Sequence, residues 1–415
     1  MLIVLKIAWR NLWRKPRRTV LTVVTISLGL ALLLIFFGIG DGGHNQMIEA
    51  AVRMGSGHVV IQQREYHTKG GIDRLLDSDQ KQRAREWVRE MEETFPIQHV
   101  LTRTYASGLA SSSDGSAGVQ IIGIEAQNEK EASRFDDKLI AGNFLDSTSR
   151  DEVILGEGVA QRLALEVGGK LVLMAQGAGS TEIQSRLVRV KGILRTGLEE
   201  SDQTLILLPL ATSQEFLKLG EGIHQMALLM NNSGPSTQVA SLGKERLPSM
   251  EVLSWGEAMP ELVDFIRIDN GGNYIMNIAL FLLIAFTVLN TLLMSVLGRG
   301  REFALLHSLG LTPIKRFFMI LLEATFMAAL SALVGFGIGY GLHLYLHIQG
   351  LPLDLFYSGE LSAVGVTFDP VIYSDLSAAR ILSSLALVFL LTMTLALVPA
   401  WRAARSGDVH LLGRA

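Results

Sequence analysis

Four long apolar runs constrain this 415-residue chain more than any other feature. Val20 to Gly40 is 21 residues without a charge, and Tyr274 to Leu297 is 24. Phe317 to Leu342 carries one charge, Glu323, and Ile381 to Trp401 carries none. Wound as helices, each spans roughly 30 Å or more, enough to cross the hydrocarbon core of a bilayer. A central charge costs about 2.5–3.5 kcal/mol on insertion scales, and these runs avoid it. The first run is too long for a signal peptide, and no clean small-residue cleavage site succeeds it, so it is expected to be retained. Only 19% of residues are charged, against about 25% in soluble chains. The fold class expected is an α-helical membrane protein with four transmembrane helices plus a large mixed α/β extracytoplasmic domain inserted between the first and second.

Lysine and arginine near the run ends set the orientation. Lys6, Arg10, Arg14, Lys15, Arg17 and Arg18 precede the first run. Arg299, Arg301, Lys315 and Arg316 lie between the second and third, and Arg402, Arg405 and Arg414 come after the fourth. The stretch from His347 to Ala379 has no lysine or arginine but carries Asp354, Glu360, Asp369 and Asp375. Both termini are therefore expected in the cytoplasm. In the first 18 residues Lys6, Arg10 and Arg14 recur at i, i+4, while Ile3, Ile7, Trp9 and Trp13 cover much of the rest. Such a helix lies in the membrane interface; it reads equally as a topology anchor or as a functional elbow.

Residues 43–272 alternate short apolar runs with helical patterns. Strands are expected at His58–Gln62, Val119–Ile124, Glu152–Leu155, Leu171–Ala175, Leu187–Leu194 and Thr204–Leu208, and helices at Ser78–Thr94, Val159–Leu165 and Pro209–Leu217. Gln176, Gly177, Ala178, Gly179 and Ser180 read as a hairpin tip. Gly271–Gly272 reads as a loop before the second span. Two subdomains, roughly 43–140 and 141–272, are expected.

Several chemistries find no support in the sequence. There is no cysteine, which excludes disulfides, thiolate metal sites and cysteine lipidation of the chain. No G-x-x-x-x-G-K-[ST] loop occurs, so ATP hydrolysis is not expected of this chain. The net charge of -3 does not favour nucleic acid. His343 and His347 have metal-ligand spacing but no carboxylate motif beside them, and interfacial histidines are the better reading. His44 and His58 flank the expected first external turn without an evident partner. Gly335, Gly337, Gly339 and Gly341 form a ladder whose plain meaning is close helix packing. Glu323 reads as a structural contact or a functional group, the intramembrane position raising both.

The segment from Arg299 to Phe318 is short, helical in pattern and carries an apolar stripe, which suits docking into a partner's groove. Its Arg301, Glu302, Leu306, Leu309 and Gly310 resemble the coupling helix of type VII ABC transporter permeases, R-E-x-x-x-L-x-x-L-G, with Phe303-Ala304 where that family usually has Ile-Gly. Pro399-Ala400-Trp401-Arg402-Ala403-Ala404-Arg405 is similar to the closing P-A-x-x-A-A-R motif. Asp408-Val409-His410-Leu411-Leu412 is a degraded form of the family's downstream D-P-V-E-A-L. Gly57-His58-Val59-Val60-Ile61, the stretch from Leu163 to Leu171, and Val190 to Gly197 with Asp202 beyond it resemble motifs of the LolC/LolE-type lipoprotein-releasing permeases of the MacB/FtsX-like superfamily.

The resemblance implies a division into an amphipathic interfacial helix (1–18), spans at 19–42, 273–298, 316–346 and 380–401, a periplasmic domain (43–272), a coupling helix (299–315), a periplasmic loop (347–379) and a cytoplasmic tail (402–415). It implies a multi-pass bacterial inner-membrane subunit without catalysis of its own. ATP and Mg would be bound by a partner cytoplasmic ABC ATPase of the LolD kind. A second permease copy or homologue, membrane lipid, a lipoprotein or other amphiphile, and a periplasmic chaperone are the further partners implied. The coupling residues would be Arg301, Glu302, Phe303, Leu305, Leu306, Leu309 and Gly310. Leu30, Leu33, Phe37, Met276, Leu280 and Leu283 are candidates for a substrate cavity, and the tip from Gln176 to Ser180 for the chaperone-recruiting hook, though it is short for one. The alternatives are MacB-like mechanotransmission of a periplasmic substrate and FtsX-like regulation of cell-wall hydrolases.

Overall fold

The structure, a computed structural model, describes all residues except 1, 15, 197–198, 309, 354–361, 364–365, 368–370 and 406–415, together with the side chains of 2–4, 18, 199–200, 295, 301, 362–363 and 366–367. Leu309, the side chain of Arg301, Gly197, the acidic residues 354, 360 and 369 and the motif at 408–412 thus lie outside it. Among the described residues, eleven helices of more than one turn organise the chain: α1 (Leu2–Arg14), α2 (Pro16–Met54), α3 (Ser78–Glu92), α4 (Ala126–Ser133), α5 (Glu157–Arg162), α6 (Leu210–Phe216), α7 (Ser236–Arg246), α8 (Pro260–Leu297), α9 (Gly300–Ser308), α10 (Pro313–Gln349) and α11 (Ala378–Arg405). Ten strands build the main sheet: β1 (Val59–Gln63), β2 (Ile97–Ser111), β3 (Ser116–Ile124), β4 (Leu139–Gly142), β5 (Glu152–Gly156), β6 (Lys170–Gln176), β7 (Ile183–Leu194), β8 (Leu205–Pro209), β9 (Gln225–Met230) and β10 (Met250–Ser254). The chain divides into two compact units. One comprises Met1–His44, Arg267–Phe356 and Val371–Ala415, the other Asn45–Ile266 and Tyr357–Pro370.

In the first unit, α2, α8, α10 and α11 are each long and apolar enough to cross a membrane. Ile26, Leu30, Leu33, Leu34, Ile284 and Val288 bury their side chains at the centre of this bundle. The glycine ladder of α10 divides into two faces. A methyl group on Gly335 would come 2.8 Å from the Ser27 carbonyl oxygen, and one on Gly339 would come 3.0 Å from Ala31 Cα. Gly337 and Gly341 face open space. Ser27 Oγ donates to the Ser331 carbonyl at 3.0 Å along the same seam. Small residues here let two backbones approach closely, and packing and polar contacts must hold helices together in lipid.

α2 and α8 are both longer than the expected spans. No turn comes after Gly40: α2 continues to Met54, so His44 is helical and its Nε2 meets Asp269 Oδ2 at 2.8 Å. Gly42 is not a turn residue but a contact residue, since a Cβ there would lie 2.0 Å from the Tyr373 carbonyl oxygen. Likewise Gly271–Gly272 is not a loop; α8 runs through it from Pro260.

In the second unit the strand order is β10-β1-β9-β2-β3-β8-β5-β7-β4, with β6 bridging β2 and β7. The pairings are antiparallel except β3 with β8 and β5 with β7. β2 is the shared beam. Its first half pairs with β9, and its second with β3 and β6. This overturns the expected division near residue 140. One lobe joins the two ends of the domain, with Val59, Trp87, Leu228, Val239 and Val252 in its core. The other is an excursion from the middle of the chain, built around Ile121, Leu155, Leu173, Ile206 and Phe216. β2, β9, β10 and α7 had no counterpart among the expected elements.

A buried ion pair fixes the far end of α2 into this sheet. Arg103 on β2 donates to Glu129 of α4 at 2.6 and 3.2 Å, and also to the carbonyls of Arg53 and Gly55. Those carbonyls sit where α2 ends and have no intrahelical donor, so the guanidinium satisfies them. His58 completes the seam. Its Nδ1 accepts from the Met230 N–H at 3.1 Å and its Nε2 lies 3.2 Å from Glu49 Oε1.

Candidate functional site

The end of the bundle where α2 and α10 begin and α8 and α11 finish gathers the arginines. Here α9 is a two-faced helix of nine residues. Phe303 is fully buried among Val296, Met319, Ile320, Ala400 and Ala403, with Ile7 and Leu306 packed at the edge. Burying such a ring is worth about 2–3 kcal/mol. On the other face Leu305 is 53% exposed, beside exposed His307 and Ser308.

The helix stops through a glycine. Gly310 has φ +84°, its N–H donates to the His307 carbonyl, and the Leu311 N–H donates to the Leu306 carbonyl at 2.9 Å. This is the paired bonding of a Schellman turn, which needs a left-handed residue. Thr312 and Pro313 then start α10, with proline in the first turn, where a missing N–H does no harm.

Glu323 of α10, 6% exposed, is held by two residues from outside its own helix. Arg299 Nη1 donates to both its oxygens at 2.9 and 3.0 Å, and Asn11 Nδ2 of α1 donates to Oε1 at 2.7 Å. The same Arg299 reaches Glu302 Oε2 of α9 through Nε at 2.8 Å, and Arg14 Nη1 of α1 meets the other Glu302 oxygen at 2.6 Å. The Arg299 guanidinium also lies 5.4 Å from the Phe303 ring centre. A buried carboxylate demands such partners. Asn11, Arg14 and Arg299 were not singled out from sequence for this network, although an ionisable group inside an apolar helix signals that a cation must be near.

The expected coupling residues therefore divide. Glu302 is bound into the network, Phe303 belongs to the bundle core and is inaccessible to a partner, Leu306 is half-buried against that core, Gly310 shapes the turn, and Leu305 presents the free apolar surface. The expected cavity residues divide too. Leu30 and Leu33 are buried inside the bundle, in one cluster with Ile284 and Val288 of α8 and Ala324 of α10. Leu280 is half-buried and Leu283 exposed. Phe37 and Met276 do share a cleft, with Asp41, Asn277 and Arg380. Arg380 is bidentate to Asp41 at 3.0 and 3.1 Å and lies 4.9 Å over Phe37. The cleft encloses ≈ 20 Å³, room for about one water rather than an acyl chain.

The tip from Gln176 to Ser180 is fastened down. Gln176 Nε2 donates to the Ser180 carbonyl, the Ala178 N–H to the Leu217 carbonyl at 2.8 Å, and the Gly179 N–H to Asp73 Oδ1 at 2.6 Å. His343 and His347 turn their Nδ1 atoms to Ser374, at Oγ and at the carbonyl, each at 2.8 Å. Among the described residues, no three His, Asp or Glu side chains gather as a metal site would need.

Two family models match. The MacB-like periplasmic core domain matches residues 19–242, and the FtsX-like permease C-terminal domain matches residues 274–407. A lipoprotein-releasing system transmembrane protein LolC of Neisseria meningitidis is 23% identical over 225 residues, 52% of this chain and 54% of that protein. The chain thus spans about half that relative's length. A lipoprotein-releasing system transmembrane protein LolE of Haemophilus influenzae is 26% identical over 309 residues, 71% of this chain and 72% of that one. A macrolide export ATP-binding/permease protein MacB of Wolinella succinogenes is 23% identical over 374 residues, 85% of this chain and 55% of that one. With one family model over more than half of its residues and a second over its remaining spans, the chain belongs to the MacB/FtsX superfamily of ABC transporter permeases, within which it is similar to LolC and LolE.

Proposed function

We propose that this chain couples a separate cytoplasmic ATPase to the extraction of lipoproteins or another amphiphile from the outer leaflet of the inner membrane. In this reading both termini and α9 face the cytoplasm, residues 45–266 lie in the periplasm, and the chain pairs with a second copy or a homologue. The observation that carries it is the division of α9: one face is anchored by Phe303 in the bundle while Leu305 stands free for an ATPase groove. The lipoprotein substrate is drawn from the names of the LolC and LolE relatives. Acyl chains need an apolar, lipid-connected surface. In a single chain the outer cleft is too small, so the substrate site falls to the faces of α2 and α8 that a second permease would complete.

A second reading, mechanotransmission without passage through the spans, is favoured by the unbroken length of α2 and α8, 39 and 38 residues, and by the MacB relative. The tethering of the Gln176–Ser180 tip also argues against its use as a free chaperone hook. Purification in lipid with its ATPase, with identification of bound acylated protein, separates the readings. Acylated protein that stimulates ATP hydrolysis is the expected result. An ATPase complex indifferent to lipoprotein and carrying none would leave mechanotransmission in its place.

A further inference from the structure

α1 bears more contacts than a membrane anchor needs. Ala8 and Leu12 are buried, and the Trp9 ring meets Phe326 of α10 edge-on at 5.3 Å between centres. One turn from Phe326 lies Glu323, where Asn11 is bonded, and Arg14 holds Glu302 on α9. The two carboxylates held by α1 are the same two that Arg299 joins. The four contacts form a closed ring through α1, α9, α10 and the end of α8. In such a ring α10 cannot part from Arg299 without stranding a charge, while α1 is held through Asn11 and the exposed Arg14. For Glu323 and Arg299, 6% and 9% exposed, stranding is costly because water cannot replace the lost partner.

We propose that α1 is a working member of the coupling unit, resting on the reading of α9 above as the ATPase-docking helix. A displacement of α9 is delivered to α10 and α1 together through Glu302, Arg299 and Glu323, and Asn11 and Arg14 are the positioning residues that recruit α1. The ring has one exposed member pair, Arg14–Glu302, and one buried pair, Arg299–Glu323. The push thus enters at the surface and ends inside the bundle.

Pulsed electron paramagnetic resonance tests this, since a chain without cysteine accepts labels only where they are introduced. Two exposed pairs serve: Lys6→Cys with Leu333→Cys for α1 against α10, and Ile278→Cys with Leu333→Cys for α8 against α10. The measurements use the complex with its ATPase in lipid, nucleotide-free and ATP-trapped. The Lys6/Leu333 distance is expected to stay narrow and unchanged in both states, while the Ile278/Leu333 distance shifts with ATP. Asn11→Ala combined with Arg14→Ala leaves Arg299 and Glu323 paired, so the bundle folds. It is expected to broaden the first distribution and at least halve the ATP-driven shift of the second. A full shift with α1 released would overturn the proposal and leave α1 an anchor. A Lys6/Leu333 distance that changes with ATP in the parent would overturn it too. Absence of any ATP-driven shift in the parent would instead refute the reading of α9, and the nucleotide-free Lys6/Leu333 arm would still report whether the ring clamps α1.

Discussion

Among the described residues, each unit of this protein buries one arginine–glutamate pair, and the two pairs are wired differently. Arg103–Glu129 is a terminus. Its further donors reach the Arg53 and Gly55 carbonyls, the half-buried Tyr105 lies beside it, and no second carboxylate is bonded to it among the described residues. Arg299–Glu323 is a junction. Arg299 has a second carboxylate, Glu302, that is 30% exposed and belongs to the two-faced helix α9. The first arrangement closes a helix end and locks it to a sheet. The second connects a buried charge to a partly exposed carboxylate on α9. A buried ion pair is by itself weak evidence of stability or function; what it is connected to decides its use.

The sharpest way to break this comparison is to remove the arginine of the terminus. Arg103→Met is expected to destabilise the sheet domain by about 3–5 kcal/mol, read by denaturant unfolding, because it strands both Glu129 and the α2 carbonyls. Adding Glu129→Leu is not expected to restore stability, since Arg53 and Gly55 keep bare carbonyls. Full recovery in that double variant would show that the helix end does not depend on Arg103.

The sheet domain also holds a titratable group without charge. His224 accepts from the Tyr105 N–H at Nδ1 and donates from Nε2 to the Ile72 carbonyl. Burial pushes its pKa down to about 4, against the opposing Ile72 bond. The unfolded ring, with its ordinary value near 6.5, binds more protons between those limits. Stability is therefore full above about pH 6.5 and falls as pH drops toward 4, by about 3 kcal/mol. Carboxylates titrate in the same range, so the difference between parent and His224→Gln unfolding at pH 7 and pH 4 isolates the effect. Parallel pH profiles would contradict it.

A smaller effect separates the two faces of the α10 ladder. Gly335→Val or Gly339→Val is expected to cost about 1–3 kcal/mol through overpacking against α2. Gly337→Ala, facing open space, should be neutral or slightly stabilising, because it removes helix-interior glycine. Thermal unfolding in detergent distinguishes them, and equal responses would mean that the ladder has no packing face.

The spans were legible because lipid leaves a coarse signature, more than 20 residues without charge. Their true ends were not. Asp41-Gly42-Gly43-His44 has turn composition, but Gly42 is there for the Tyr373 carbonyl and His44 for Asp269. The nested lobes were hidden because β1 pairs with β9 and β10 across more than 160 residues, and alternation along a strand says nothing of so distant a partner. β2 escaped notice because Arg103 interrupts its pattern, yet that arginine is buried for a reason held elsewhere, at the end of α2. In α9 the apolar stripe was visible, but Phe303 turned inward and Leu305 outward. Only packing against α10 and α11 decides which apolar residue is core and which is surface.

That division of α9 is most directly tested by Leu305→Asp, measured as ATPase binding and ATP hydrolysis in the lipid-reconstituted complex. Leu305 is 53% exposed and contributes little to the bundle core. The expected result is an at least tenfold loss of ATPase binding with unchanged thermal unfolding of the isolated permease. Parent-level binding and hydrolysis in Leu305→Asp would contradict the assignment of α9 as the surface that receives the ATPase.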